Sequence, residues 1–223
     1  LKMNEYSFIL WQNQLMAATA KSTRRTASRE RRRGQLIAAT MKCIARNGMS
    51  STSIGDVARE AGLSQGIVNL HFESKDNLLK ETLRHLADDY KTRFNKALES
   101  SGPDAAGKLL AVMQLDLRPA VIDRQKIAVW FAFWGEVKSR PTYRRICNER
   151  DRYYDEVVES LCAEIIADGK YKDVSATSVA IALTSMTNGM WLSYLISPRS
   201  FDRDQAMRAI TDLLRRYFPR HYS

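Results

Sequence analysis

Residues 52–79 read T-S-I-G-D-V-A-R-E-A-G-L-S-Q-G-I-V-N-L-H-F-E-S-K-D-N-L-L. Thr52 precedes apolar residues at Ile54, Val57 and Ala58, and a threonine in that place can cap a first helical turn. Gly62 ends the run, because a residue without Cβ turns the chain without a clash. Ser64 caps a second short helix over residues 65–71. Ser74, with Asn77 three positions on, opens a third. Two short helices joined by a tight glycine turn are the arrangement that carries one helix into a DNA major groove. Ile54, Val57, Ala58, Leu63, Ile67 and Leu70 fall at spacings that pack the two helices together, and Phe72 plugs the joint with the third.

That packing turns Gln65, Val68, Asn69 and His71 outward. Glutamine and asparagine bond bidentately to adenine, and a valine touches a thymine methyl. Thr52, Ser64, His71 and Lys75 suit phosphate contacts, since helix starts offer free N–H groups, hydroxyls reach oxygens and lysine adds charge. Gly66 lets the helix start approach the sugar-phosphate wall.

Charge supports a polyanion at this end of the chain. Of a formal net charge of +10 over 223 residues, the segment 21–33 holds seven basic residues against Glu30 alone, while 76–223 holds 23 basic and 20 acidic residues. Arg24, Arg25, Arg29 and Arg31 to Arg33 precede the first helix in this reading. They can lie along a DNA backbone or enter a narrow minor groove. A basic tail that merely aids solubility is the plainer alternative.

Outward from the core stretch, the pattern stays helical. Leu36, Ile37, Ala39, Met41, Ile44 and Ala45 give one apolar face over residues 31–47, stopped by Asn47-Gly48. Leu78, Leu79, Leu83, Leu86 and Phe94 mark a helix from Lys75 to about Ser100. After the break at Ser100-Ser101-Gly102-Pro103, helical spacing predicts segments over 105–117, 122–138, 142–167, 175–196 and 202–217, with Pro141, Gly169 and Pro198 between them. The expected fold is all-α. Residues 1–28 form a basic, flexible extension, 29–75 a helix-turn-helix DNA-binding domain, and 76–223 a larger helical domain for effector binding and dimerisation.

Hydrophobic content of 44% is ample for a core. Cys43, Cys147 and Cys162 form no CxxC pair, which fits a reducing cytoplasm and gives no disulfide framework or zinc site; Cys43 reads as a core residue. No segment reads as long and apolar enough to cross a membrane, and residues 1–20 lack the features of a signal peptide. His71, His85 and His221 are dispersed. No nucleophile elbow, phosphate loop, HExxH or Rossmann fingerprint appears, so neither catalysis nor a cofactor nor a metal is expected.

Residues 48–75, as G-x-x-x-T-S-I-x-D-V-A-x-E-A-G-L-S-x-G-x-V-x-x-H-F-x-S-K, resemble the TetR-family signature nearly position for position. The resemblance covers residues 35–83 and departs from the family at Asn69, where an aromatic is common. It implies a homodimeric bacterial repressor, cytoplasmic and associated with the nucleoid. Its body would hold an effector pocket, and its last long helices would pair across a dimer axis on a palindromic operator. In the body, V-W-F-A-F-W-G-E-V-K-S-R-P-T-Y-R-R at 129–145, with Asp151 and N-G-M-W-L at 188–192, is similar to the BetI branch, which represses choline-to-glycine-betaine genes. That implies choline or betaine aldehyde as effector.

Side-chain chemistry agrees with a cationic effector. Trp130 and Trp134 stand four apart on one helix face, and Trp191, Tyr194 and Tyr153 or Tyr154 offer further rings. Quaternary ammonium groups cannot donate hydrogen bonds and bind by cation–π contact in aromatic boxes. Asp116, Glu136 or Asp151 can complement the charge. Aromatics at helical spacing also serve as plain core, and Asp151 can instead pair with Arg144, Arg145 or Arg150. A TetR-type regulator of efflux or catabolic genes with a hydrophobic effector is the alternative within the family. A non-specific architectural DNA binder is the alternative outside it, and would discriminate little between operator and random DNA.

Overall fold

The first helix, α1, spans residues 28–47 and buries Leu36, Ile37, Cys43 and Ile44 on one side. The computed structural model describes residues 28–222. The extension expected over residues 1–28, with Arg24 and Arg25, therefore lies outside the described residues save for Ser28. Helix α1 starts three residues before the apolar face over residues 31–47, so Arg29 as well as Arg31 to Arg33 lies within it, and these arginines do not precede the helix as expected.

Gly48 at φ +80° stops α1, and α2 (Ile54–Ala61) follows. Its cap is Ser53, not Thr52. The Ser53 hydroxyl accepts the Asp56 N–H at 3.1 Å, and Asp56 accepts the Ser53 N–H at 3.0 Å, a closed capping box. Gly62 at φ +64° supplies the left-handed turn. Helix α3 (Gln65–Phe72) is capped by Ser64, whose side-chain oxygen accepts the Ile67 N–H. Helix α4 (Lys75–Ser100) is capped by Ser74 onto the Asn77 N–H at 3.1 Å. Between α3 and α4 the chain turns at Glu73, φ +64° and ψ −37°, with Ser74 N–H donating to the Phe72 carbonyl at 2.6 Å. This is a γ-turn on a non-glycine residue, a strained link that sets the angle between the two helices.

The body comprises α4, α5 (Ala105–Leu117), α6 (Arg124–Glu136), α7 (Pro141–Gly169), α8 (Ala176–Ile196) and α9 (Arg203–Tyr217). Pro141 is the first residue of α7 rather than a break before it, the place where a missing N–H costs nothing. At the other end Gly169 is the last helical residue, and Lys170 takes the left-handed cap at φ +49°. Helix α5 sits among α4, α7, α8 and α9 and buries Leu109, Val112, Met113 and Asp116. One apolar cluster runs from α1 to α9, and the Tyr222 hydroxyl closes it by donating to the Ala106 carbonyl at 2.8 Å. Cys43, Cys147 and Cys162 are all buried as free thiols. No strand occurs among the described residues.

Helix α8 corrects the membrane expectation. Its 21 residues carry no charged side chain, and by length and composition alone it is apolar enough to cross a membrane. Serines, threonines and an asparagine scattered through it hide this from the eye. Only 33% of its most apolar window is buried within the protomer. Ser178, Ile181, Ser185, Gly189, Leu192 and Ile196 recur three or four apart and are all exposed, a charge-free stripe along one face.

Candidate functional site: a DNA-reading head and a caged arginine

Two of the residues expected on the DNA-facing surface lie inside. Val68 is 1% exposed, on the core side of α3 with Phe72, whereas Leu70, expected in the core, is 71% exposed. The helical register explains the exchange. Val68 and Phe72 lie four apart and share a face, and Leu70, about 200° from Val68, points the other way. Thr52 is 2% exposed, and its hydroxyl donates to the Gly48 carbonyl at 2.8 Å, so it braces the turn after α1 and offers no hydroxyl to DNA.

Gln65, Gly66, Asn69 and Leu70 form the exposed face of α3, with Ser64 at its start. Gln65 lies over Gly55, where a Cβ would come within 3.1 Å of the glutamine amide nitrogen. The lack of a side chain at position 55 thus lets Gln65 lie against α2. Lys75 is half-buried, its ammonium donating to the Ser50 carbonyl at 3.4 Å, and Arg31 is exposed. His71 is half-buried with Nδ1 enclosed and unpartnered. Burial, and then Arg29, Arg33 and Arg32 nearby, hold its pKa below the usual imidazole value.

Arg33 has a different role from its neighbours in the basic run. Its guanidinium donates to the His71 carbonyl at 3.0 Å and to Glu81 at 2.9 Å, and lies 4.7 Å from the centre of the Phe72 ring. It clamps α1 to the end of α3 and to α4. A second tie joins the head of α4 to the body, where Arg140 before α7 donates to Asp76 at 3.1 Å.

In the body, Asp116 organises the interior. It is 1% exposed and accepts the Tyr90 hydroxyl at 2.7 Å and the Tyr154 hydroxyl at 2.8 Å, while its backbone carbonyl accepts the Trp191 indole N–H at 2.9 Å. Burial pushes its carboxyl above the usual range, partly opposed by those two hydroxyls and by Arg150. One residue from each of α4, α5, α7 and α8 meets here.

The rings do not surround an empty space. The Arg150 guanidinium lies 4.2 Å from the centre of Tyr90, 5.1 Å from Trp130, 5.5 Å from Trp191 and 5.8 Å from Tyr154. Its Nη1 donates to Asp151 at 2.6 Å, while its buried Nε has no partner. The pairing of Asp151 with Arg150 is one of the options open in the sequence. Three of the expected aromatics, Trp130, Tyr154 and Trp191, thus come together with Asp116. The Trp134 ring centre lies 6.2 Å from that of Trp130 but outside this ring set, its indole N–H beside the Cys147 thiol. Tyr194 pairs with Phe201, and the Tyr153 hydroxyl donates to Asn95. The sequence reading does not include Tyr90, and it includes Arg150 only as a partner for Asp151. Both were within reach, since Tyr90 falls between Leu86 and Phe94 on the buried stripe of α4, and Arg150 falls between Cys147 and Tyr154 on that of α7.

Arg150 separates two clefts. A cavity of about 480 Å³ between α4 and α7 is lined by Tyr90, Phe94, Tyr153 and Tyr154 with Arg84, Lys91 and Arg145. A cavity of about 300 Å³ toward α8 is lined by Asp116, Asp151, Asp155, Thr184 and Asn188. Among the described residues no three His, Cys, Asp or Glu side chains gather as a metal site would require.

Comparison with known proteins fits these two parts. Residues 36–82 match the model of the tetR family of bacterial regulatory proteins, and residues 105–219 match that of the C-terminal region of BetI-type transcriptional repressors. The chain is 31% identical over 186 residues to the HTH-type transcriptional regulator BetI of Paraburkholderia xenovorans, covering 83% of this chain and 93% of that one. It is 32% identical over 190 residues to BetI of Ectopseudomonas mendocina, covering 82% and 91%. Among solved structures, a transcriptional regulator from Pseudomonas aeruginosa PAO1 superposes with a TM-score of 0.76 at 25% identity, over 87% of this chain and 95% of that one. A regulator from Saccharomonospora viridis, solved in complex with choline, superposes at 0.74 with 24% identity, over 82% and 94%. The chain belongs to the TetR family, in its BetI-type branch, and is a ligand-responsive transcriptional repressor with a helix-turn-helix DNA-binding head.

Proposed function

We propose that this repressor is a homodimer released from a palindromic operator by a small quaternary ammonium effector, choline or betaine aldehyde. The observation that carries the reading is the cage of Tyr90, Trp130, Tyr154 and Trp191, which closes on a cation, Arg150, above a buried carboxylate, Asp116. Rings at these distances favour a positive charge through their negative faces. The choline bound by the S. viridis regulator supports the same chemistry.

On the DNA side, Gln65 and Asn69 contact base edges and Leu70 takes the thymine-methyl role that Val68 cannot. Ser64, the Gly66 backbone, Lys75 and Arg31 hold phosphates. The charge-free stripe on α8, with the adjoining face of α7, pairs with its copy, which sets the two α3 helices about 34–36 Å apart on one face of B-DNA. Effector in the cage moves Tyr90, and with it α4, whose first residues adjoin the reading helix. The ligand shifts operator affinity by as much as it prefers the displaced state.

Thermal unfolding with choline, betaine aldehyde and the uncharged isostere 3,3-dimethylbutan-1-ol tests the effector. Stabilisation by the cations alone, lost in Trp130→Ala, is expected. Equal stabilisation by the neutral isostere refutes it.

A second reading rests on the cleft between α4 and α7, whose tyrosines and phenylalanine stand beside Arg84, Lys91, Arg145 and Arg150, which outnumber Asp88 and Glu149 there. That lining suits a hydrophobic effector bearing a carboxylate. Stabilisation by such acids, and none by the cations, favours it.

A further inference from the structure

We propose that Arg150 is the resident occupant of the aromatic cage, and that a cationic effector binds by exchange with it rather than by filling a vacant site. This rests on the cationic-effector reading above. The geometry supports exchange in four ways.

The place a quaternary ammonium would take is filled, since the guanidinium lies within 6 Å of four ring centres contributed by α4, α6, α7 and α8. A second cation in the same cage would face the first at a few ångströms with little water between them, so the two occupancies exclude each other.

Arg150 is held more by charge and ring faces than by hydrogen bonds. Its side chain is 8% exposed, its Nη1 bonds Asp151, and its Nε is enclosed with no acceptor. A guanidinium has five N–H donors, and ring faces satisfy them weakly. A quaternary ammonium has none to satisfy and fits the same rings without that cost.

The displaced side chain has somewhere to go. Arg150 lines both flanking cavities, and the one toward α8 carries Asp151, its present partner, and Asp155. Swinging that way keeps the salt bridge while vacating the cage. Asp116 stays beneath the cage, accepting the Tyr154 hydroxyl, so one positive charge above it is replaced by another.

Finally, exchange gives the effector a mechanical output. Arg150 presses on Tyr90 at 4.2 Å, the nearest of the four rings, and Tyr90 belongs to the helix that begins beside the DNA-reading head.

Phenylglyoxal labelling of the full-length protein, with modified arginines located by peptide mass, reads Arg150 directly in the unmutated chain. Labelling of Arg150 should rise at least fivefold in saturating choline; unchanged or reduced labelling overturns the exchange. Calorimetric titration of choline into Arg150→Met gives the second readout. Affinity at least tenfold tighter than that of the unmutated protein is expected, because no cation has to leave. Equal or weaker binding by a variant with unaltered circular dichroism overturns the exchange while leaving a choline site in place. Absence of choline binding to both proteins overturns the exchange and the cationic-effector reading together.

Discussion

Arg150 and Tyr90 meet face on, guanidinium carbon 4.2 Å from ring centre, and the same tyrosine donates its hydroxyl to Asp116 at 2.7 Å. One ring therefore carries a cation on its face and an anion at its edge. This joins α4, which leads to the DNA head, to the α5 and α7 core of the body.

The Asp116 network sets a stability test. Asp116→Ala leaves two buried tyrosine hydroxyls without an acceptor and should cost about 2–4 kcal/mol in urea unfolding. Asp116→Asn keeps an acceptor and should stay within about 1 kcal/mol of the parent protein. The pH dependence has a definite sign. Burial raises the Asp116 carboxyl in the folded state, so its stabilising contribution is full below the unfolded value and is lost as pH rises through the folded one. Asp116→Asn should therefore gain stability relative to the parent as pH rises above the unfolded carboxyl value. A difference that is flat with pH would count against a raised carboxyl.

The exchange of places between Val68 and Leu70 separates packing from reading. Val68→Ala should destabilise the fold by about 1.5–3 kcal/mol, from two lost methyl groups and the space they leave. Leu70→Ala should stay within about 0.5 kcal/mol in unfolding and lower operator affinity in anisotropy titrations. If Val68→Ala weakened the operator without a stability change, α3 would have the other register.

How much of this was legible in the sequence depends on what each residue's place is decided by. Glycine 62 and serines 64 and 74 act locally, and their turn and caps appear as expected. Thr52 and Ser53 are both adequate capping residues. Only Asp56, three residues after Ser53, decides between them, through the reciprocal bond of the capping box. In a helix of eight residues with five apolar or small ones, the buried face cannot be chosen from spacing alone; packing against α2 and α4 chooses Val68 over Leu70. The aromatic cluster was half legible. Trp130, Tyr154 and Trp191 announce themselves as rings, but their convergence comes from α6, α7 and α8 meeting around Arg150. Arg150 looks like one more surface charge in E-R-D-R until its place on the buried stripe of α7 is noticed.

The basic residues of α1 and of the start of α4 should not behave alike. Lys75→Ala and Arg31→Ala remove phosphate contacts, so each should lower the salt dependence of operator binding by about one unit of log–log slope and weaken all sequences similarly. Gln65→Ala should relax base preference with the slope unchanged. Arg33, already committed to His71, Glu81 and Phe72, should leave the slope as it is while lowering the unfolding midpoint. Equal slopes for Arg31→Ala and Arg33→Ala would erase this division.

The exposed stripe of α8 makes a prediction about assembly. Ile181 is 60% exposed in the protomer, on a helix without a single charge. Ile181→Glu places two carboxylates near the symmetry axis of an α8 pair and should yield a monomer in sedimentation equilibrium, with operator binding lost. A variant that remains a dimer would move the interface elsewhere.

The most direct measurement is operator release itself. Operator DNA selected from a random pool is titrated with the full-length protein by fluorescence anisotropy at fixed salt, without and with saturating choline. The expected result is at least a tenfold loss of operator affinity with choline, no change with 3,3-dimethylbutan-1-ol, and no response to choline in Trp130→Ala. Operator affinity indifferent to choline, or released equally by the neutral isostere, would contradict a repressor switched by a cation in the Tyr90–Trp130–Tyr154–Trp191 cage.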